Sequence, residues 1–321
     1  MTFPKVLKAI KQNKTFLIST HVNPDIDGLA SELAVALFLR ALKKDVHVVN
    51  TGKILPMYSF LPKIGLIKEF DGRPLRYDAA IIVDCGDLDR IDRVKKILLK
   101  GKPVINIDHH ITNARFGTIN LVHPKASSTA EVIFDLLKSS RQKLTKDMAV
   151  LLYLGILTDT GSFRYDNTSA HTHAVVSELM QFNFSVNKFY KKIYETVPLK
   201  ELKLFTRLIS SFQMNYGGKV ASMTLTKSVL KTFSGSFDLR DRIFNFLRSI
   251  KGVEVIVILS EGEKGATRVN FRSQGKVDVS RIASLFGGGG HKKASGCRVD
   301  GNIKEAKRKI FRELKPLLKE V

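Results

Sequence analysis

Cysteine is scarce in this 321-residue chain and tryptophan is absent. The two cysteines, Cys85 and Cys297, are too few for a disulfide framework or a cysteine-rich zinc site, and they favour a reducing compartment. Long apolar stretches are also lacking, because the longest, residues 149–157, is far shorter than the roughly 20 residues that a membrane-spanning helix needs. The first residues contain no apolar segment typical of a secretory signal. We therefore expect a cytoplasmic protein with no membrane partner.

Acidic residues are few relative to basic ones. The chain has 53 Lys and Arg against 30 Asp and Glu, which gives a formal net charge of +23. Such an excess attracts polyanions such as RNA, nucleotides or polyphosphate, although acidic protein partners or a generally Lys-rich proteome would produce the same balance. The hydrophobic fraction is 44% and includes 20 Phe, which is enough apolar material for about two domains.

Short apolar segments alternate with helical patterns in the first half of the chain. Four of them are apolar at nearly every position, as in strands of a parallel sheet covered on both faces: residues 15–20, 46–49, 79–83 and 103–107. This alternation predicts a doubly wound, mainly parallel α/β domain over residues 1–185. We expect a helical connector over residues 186–216 and a smaller α/β domain over residues 217–321, with a cleft between the two domains.

The first, third and fourth of these apolar segments, and the apolar helical segment that ends at residue 157, are followed abruptly by aspartate or histidine. The residues at these ends are His21, Asp25, Asp27, Asp84, Asp108, His109, His110 and Asp159. Because ligands bind beyond the carboxyl ends of parallel strands, we expect these side chains to form one site. Carboxylates and imidazoles without thiolates favour Mn²⁺, Mg²⁺, Co²⁺ or Fe²⁺, and packed carboxylates would repel one another without cations. Two ions that share a carboxylate would clamp a phosphoryl group and generate hydroxide at neutral pH.

These motifs resemble those of a known family. Residues 21–27 (HVNPDID), Asp84, residues 108–110 (DHH) and residues 158–161 (TDTG) are similar to the four motifs of the DHH phosphoesterase superfamily. Residues 287–296 (GGGGHKKASG) resemble the signature of the associated DHHA1 domain. The combination resembles the NrnA-type group of oligoribonucleases, which often also dephosphorylate 3′-phosphoadenosine 5′-phosphate (pAp).

The resemblance implies two divalent metal ions, usually Mn²⁺, with Asp84 as the bridging ligand. It assigns His21 and Asp25 to the first ion, and Asp27, His109 and Asp159 to the second. One departure from the family is Ile26, which stands where many relatives have glycine, and we expect its side chain to lie against the cleft wall or the nucleotide.

The resemblance also implies catalytic roles next to the metal ligands. His110 would face the scissile phosphate as a hydrogen-bond donor or proton carrier, and Asp108 would orient the histidine pair from behind. Asn113 and Arg115 follow closely and would contact phosphate.

A second set of implied residues binds the terminal phosphate or base of the substrate from the C-terminal domain. Glycines there let backbone N–H groups approach an anion closely. The set consists of Arg268, Arg272, Ser273, Gly288, Gly289, Gly290 and His291.

The function implied by the resemblance is a metal-dependent phosphohydrolase. It would degrade short oligoribonucleotides to mononucleotides and dephosphorylate pAp to AMP, and a homodimer is compatible with the family. A phosphodiesterase of linear or cyclic dinucleotides, such as pApA or cyclic di-AMP, would use the same site. A catalytically silent RNA-binding module is the alternative of another class, but unpaired buried acids are costly and all six metal ligands are present.

Overall fold

The computed structural model describes residues 2–233, 239–263 and 265–318. The chain divides into two compact units, Met1–Ile193 and Tyr194–Val321. Among the described helices, none combines the length and apolar character that crossing a membrane requires.

A six-stranded sheet forms the centre of the N-terminal unit. Its strands are β1 (Thr15–Ser19), β2 (Asp45–Asn50), β3 (Ile67–Glu69), β4 (Ala79–Val83), β5 (Val104–Asp108) and β6 (Ile119–Val122). Their spatial order is β3-β2-β1-β4-β5-β6, and every described pairing is parallel, which confirms the predicted sheet. The prediction missed β3 and β6 because these short edge strands are only partly buried and therefore lack a continuous apolar run.

Both faces of this sheet are covered, because alternate residues of a strand point to opposite sides. Phe16 and Ile18 face the larger core, whereas Leu17 faces a smaller one that the 3₁₀ segment Leu88–Ile97 covers. The helices that pack in the larger core are α1 (Phe3–Gln12), α2 (Ile26–Ala41), α3 (Thr129–Ser139), α4 (Lys146–Asp159), α5 (Ala170–Met180) and α6 (Val186–Tyr194).

The strand order places one crevice at the carboxyl ends of the three central strands. After β1 the chain builds β2 and β3 on one side, and then returns to add β4 and β5 on the other side. Ser19 pairs with Ile82 and Val83 pairs with Ile107, so β1, β4 and β5 end at a similar level. Ligands of open α/β sheets bind at such a reversal of strand order, which is where the predicted site residues follow their strands.

The C-terminal unit is built on a second sheet of different pattern. Its strands are β7 (Gln213–Asn215), β8 (Val220–Leu225), β9 (Val255–Glu261), β10 (Ala266–Ser273), β11 (Gly289–His291) and β12 (Ala294–Asp300). The spatial order is β11-β12-β10-β9-β8-β7, and of the described pairings β8 with β9 is parallel while the others are antiparallel. The predicted second α/β fold is therefore confirmed.

Helices cover both faces of the second sheet as well. They are α7 (Leu199–Ile209), α8 (Lys227–Thr232), α9 (Leu239–Arg248), α10 (Val279–Leu285) and α11 (Ile303–Leu317). Ala283 of α10 and Ile310 of α11 pack on one face, and Ile243 of α9 packs on the other. Within the segment predicted as a connector, α6 packs into the core of the N-terminal unit and α7 into the core of the C-terminal unit.

Candidate metal and active site

The loop after β1 and the first turn of α2 carry the first three site residues. Asp25 caps α2, because its Oδ1 accepts the backbone N–H of Gly28 at 3.1 Å. Asp27 lies inside the first turn of α2 and is buried, as is His21 before the helix. Ile26 is only 7% exposed and packs into the larger core, so little of its side chain is left to contact a nucleotide.

Asp84 is the central acid of the site. It follows β4 directly and has a φ of 50°, a left-handed conformation that residues other than glycine seldom adopt. Its Oδ2 lies 3.6 Å from His21 Nε2, while its Oδ1 lies 3.9 Å from His109 Nε2 and 3.7 Å from His110 Nδ1. The two oxygens of this buried carboxylate therefore face different histidines, an arrangement that a bridging ligand can use.

Among the residues that the structure describes, potential ligand atoms converge in three groups, in each of which they lie within 4.8 Å of one another. The groups are His21 with Asp25 and Asp84; Asp27 with His109 and Asp159; and Asp84 with His109 and His110. All six predicted metal ligands belong to at least one group, and the donors are carboxylates and imidazoles. This donor set fits divalent ions of the Mn²⁺ and Mg²⁺ type.

The electrostatics of the cluster also fit a cation site. Burial raises the pKa of Asp27 well above its usual range, and the neighbouring charges of Asp84 and Asp159 raise it further. Burial likewise raises the pKa of Asp159 to about 7. Burial alone would lower the pKa of His109, but the charges of Asp159 and Asp84 outweigh it and raise the value to about 9. Acids that retain protons near neutral pH are those whose ionised form needs positive charge nearby.

Asp108 fixes the orientation of His110. The carboxylate is completely buried, and its Oδ1 lies 2.7 Å from His110 Nδ1 and accepts the backbone N–H of His109 at 2.9 Å. Since a carboxylate only accepts, Nδ1 carries the proton and Nε2 is left for chemistry. Burial alone would lower the pKa of His110, but the hydrogen bond to Asp108 and the negative charges of Asp84 and Asp108 together raise it.

Asn113 is also anchored at this carboxylate. Its Nδ2 lies 2.5 Å from Asp108 Oδ2 and 2.8 Å from Asn106 Oδ1, and its Oδ1 accepts the backbone N–H of Arg115 at 2.6 Å. Arg115 itself is exposed. The structure thus places Asn113 behind His110 and Arg115 at the surface.

Residues outside the predicted set hold the acids in place. Asp27 accepts the backbone N–H groups of Thr129 and Ala130 at 2.8 and 3.0 Å, and Thr129 Oγ1 donates to Asp84 Oδ1 at 2.8 Å. Gly155 lets α4 approach, because a Cβ there would lie 2.5 Å from Asp27 Oδ1. The helix start could be read from Ser128 and the glutamate three positions later, but nothing in the sequence shows that it faces the acids.

In the C-terminal unit, Arg272 and His291 lie on one face of the sheet. Both pair with Ala294, Arg272 across β10–β12 and His291 across β11–β12, and directly paired residues share a face. The Arg272 guanidinium stacks on the Phe244 ring at 4.6 Å from its centroid. Arg268 is exposed on the same face, since it lies four residues before Arg272 on β10.

The remaining predicted substrate-binding residues are placed differently. Ser273 points to the opposite face of β10, is 2% exposed, and its hydroxyl makes no hydrogen bond within the part of the chain that the structure describes. Gly288 packs against Gly296, since a Cβ at Gly288 would lie 2.2 Å from the Gly296 oxygen. Gly289 borders open space, whereas Gly290 has a φ of +132° that favours glycine.

Comparison with known proteins identifies the family. A model of the DHH family N-terminal domain matches residues 15–156, and a DHHA1 domain model matches residues 232–320. The chain is 32% identical over 319 residues to the probable bifunctional oligoribonuclease and PAP phosphatase NrnA of Streptococcus mutans, with 99% of each chain covered. The chain belongs to the DHH family.

Other members support this placement in the DHH family. The bifunctional oligoribonuclease and PAP phosphatase NrnA of Bacillus subtilis is 30% identical, with 98% of each chain covered. Among solved structures, an exopolyphosphatase-related protein from Bacteroides fragilis superposes with a TM-score of 0.88 at 28% identity, covering 99% of this chain and 97% of that one. The chain is thus a hydrolase of the DHH phosphoesterase type, and its buried acidic and histidine cluster fits the metal dependence of the family.

Proposed function

We propose that this DHH-family hydrolase degrades short oligoribonucleotides to mononucleotides and dephosphorylates pAp to AMP. The names of the relatives from Streptococcus mutans and Bacillus subtilis support these substrates. The observation that carries the proposal is the position of Asp84, whose two carboxylate oxygens face His21 and His109 separately. This geometry supports two metal ions, because one carboxylate reaches both histidines.

The proposed ligands divide between two ions, most simply Mn²⁺, with Mg²⁺, Co²⁺ or Fe²⁺ as substitutes of the same ligand preference. We assign His21, Asp25 and Asp84 to one ion, and Asp27, Asp84, His109 and Asp159 to the other. When bound, such ions neutralise the phosphate charge and lower the pKa of water toward about 7.

His110 is the proposed proton carrier. Its Nδ1–H is held by Asp108, so Nε2 is the atom that faces the reacting phosphate. In the reaction the oxygen of a water molecule would bond to phosphorus and release its proton to solvent, while the bond between phosphorus and the ribose oxygen breaks. His110 Nε2 donates a hydrogen bond or proton to the departing oxygen, and Asp108 stabilises the charged imidazole.

The C-terminal unit supplies the proposed substrate contacts. Arg272 and His291 bind the terminal phosphate or the base, and Arg268 adds positive charge on the same face. Gly289 adds a small residue beside open space, since no described atom lies within 4 Å of its would-be Cβ. The weaker candidates are Ser273, Gly288, Gly290, Asn113 and Arg115.

A turnover panel tests the function. The metal-loaded protein is assayed side by side on pApA, a five-nucleotide RNA, a 24-nucleotide RNA, pAp, cyclic di-AMP and pyrophosphate, with Asp84→Asn as the inactive control. We expect fast cleavage of the short RNAs and pAp and slow action on the 24-nucleotide RNA. Dominant turnover of cyclic di-AMP would instead assign second-messenger degradation, and no turnover at all would leave the RNA-binding module.

A further inference from the structure

One short segment contacts two buried acids of the proposed ligand set, Asp27 and Asp84. Residues 126–131, named the clamp segment from here on, lead into and begin α3. Within it, the N–H groups of Thr129 and Ala130 donate to the two oxygens of Asp27, at 2.8 and 3.0 Å. The hydroxyl of Thr129 donates to Oδ1 of Asp84 at 2.8 Å. A single residue, Thr129, therefore holds two carboxylates at once.

The same segment reaches two further members of the cluster. The carbonyl oxygen of Ala126 lies 3.3 Å from His109 Nδ1, and because a carbonyl only accepts, Nδ1 carries the proton and Nε2 faces Asp159 at 3.4 Å. Asn167 Nδ2 donates to the carbonyl oxygens of both Ser127 and Asp159, at 2.8 and 3.1 Å. Four of the six proposed ligands are thus tied to the clamp segment, either directly or through Asn167.

A buried hydrogen-bonded group, Ser127, Glu131 and Thr172, named the strut from here on, holds the clamp segment on the side away from the acids. Glu131 is 2% exposed, and its Oε2 accepts the hydroxyls of Ser127 at 2.5 Å and Thr172 at 2.7 Å. Thr172 also forms the capping box of α5 with Ser169. Ser128 caps α3 by accepting the N–H of Glu131. The position of the clamp segment is therefore determined by two helix starts.

We propose that the clamp segment is the positioning element of the metal centre and that Thr129 sets the spacing of Asp27 and Asp84. The physical basis of this proposal is that the two negatively charged carboxylates repel each other. Hydrogen-bond donors must therefore hold them near each other before cations bind. The first N–H groups of a helix and its positive N-terminal end suit that purpose. The inference rests on the proposed metal site and adds the residues that organise it.

The test measures metal binding as well as activity. Chelator-treated protein is titrated with Mn²⁺ by calorimetry. Thr129→Val removes the hydroxyl but keeps the size and the N–H, and should weaken Mn²⁺ binding about tenfold or more, the usual effect of losing a partner behind a ligand. Thr129→Ser keeps the hydroxyl and should bind within about twofold of the original chain. Thr145→Val removes the hydroxyl cap of α4 instead, and should leave Mn²⁺ affinity unchanged.

Asp84→Asn in the same titration separates the two proposals. If the unaltered chain binds no Mn²⁺, or Asp84→Asn binds it equally well, the proposed metal site fails. If Asp84→Asn loses Mn²⁺ but Thr129→Val binds it like the original, the clamp inference is overturned. Should Thr129→Val not fold, Thr172→Val decides, because it breaks the strut away from the ligands: weakened Mn²⁺ binding supports the inference and unchanged binding overturns it.

Discussion

Both units are net basic, but the charged residues proposed to be functional differ between them in sign and in burial. Residues 1–193 contain 28 basic and 18 acidic residues, and residues 194–321 contain 25 basic and only 12 acidic ones. In the N-terminal unit the proposed functional charges include buried acids that α3 holds by hydrogen bonds, such as Asp84 and Asp27. In the C-terminal unit the proposed functional charges are cations on a sheet face, with Arg268 exposed and Arg272 stacked on Phe244. A buried charge depends on many neighbours, so substitutions should cost more in the first unit than in the second.

The largest effect expected is that of Asp84→Asn, which removes the charge shared by both ligand sets at constant size. Metal ions contribute several kcal/mol to phosphoryl transfer, so kcat on a five-nucleotide RNA should fall by about 10³-fold or more. Asp135→Asn is the matched control, because Asp135 is a partly buried acid that pairs with His171 instead. Substantial activity of Asp84→Asn with any divalent ion would refute the bridging role.

Packing around Asp27 gives the next largest effect. Gly155→Ala places a methyl group 2.5 Å from Asp27 Oδ1 and 2.6 Å from the Ala130 Cβ, so α4 must shift. Overpacking of this kind costs about 1–3 kcal/mol of unfolding free energy. Gly65→Ala is the control, because nothing lies within 4 Å of its would-be Cβ. Urea unfolding followed by circular dichroism measures the unfolding free energy of both variants. Equal values for Gly155→Ala and Gly65→Ala would show that α4 does not confine Asp27.

The positions of the metal-site acids could be predicted because a parallel sheet brings strand ends together. Asp84 and Asp108 follow or end strands that are apolar at nearly every residue, so the sequence alone locates them at one edge. Edge strands such as β3 were not predicted, because they are partly exposed to solvent and therefore lack a continuous apolar run. Ile26 was expected at the cleft wall or the nucleotide, but it begins a helix that is buried on nearly all sides, so most of its side chain packs into the core.

The role of Thr129 could not be predicted in the same way. Ser128 and Glu131 indicate a helix start, but its direction toward Asp27 follows from the packing of α3 against α2 and α4, which no local pattern encodes. The sheet face of the C-terminal unit was equally hidden: neighbouring Arg272 and Ser273 must point to opposite faces of a strand, but which face each one occupies depends on strand register.

A more moderate effect is expected in the C-terminal unit. Arg272→Lys keeps the charge but loses the planar group that stacks on Phe244, so substrate binding should weaken. We expect KM to rise about tenfold, equivalent to about 1.4 kcal/mol, with kcat nearly unchanged. Arg312→Lys, at an exposed position of α11, which packs on the opposite face of the sheet, is the control and should leave both constants unchanged. A fall in kcat at constant KM would place Arg272 in the chemical step rather than in substrate binding.

The smallest effect expected is a pH dependence of the melting temperature of the N-terminal unit. The folded-state pKa is raised to about 7 for Asp159, from 3.8, and to about 9 for His109, from 6.5, so the metal-free native state binds more protons than the unfolded chain. Stability from both groups is present at low pH and is lost as pH rises through 7 and then 9. The metal-free melting temperature of the N-terminal unit should therefore fall by about 2–4 °C for each kcal/mol lost between pH 6 and 9. Saturating Mn²⁺ should oppose this fall, because metal binds the deprotonated ligands. Thermal unfolding with chelator and with Mn²⁺ measures the two melting temperatures across this pH range. Asp159→Asn should make the metal-free melting temperature depend less on pH near pH 7. A metal-free melting temperature that rises with pH would contradict the assigned pKa shifts.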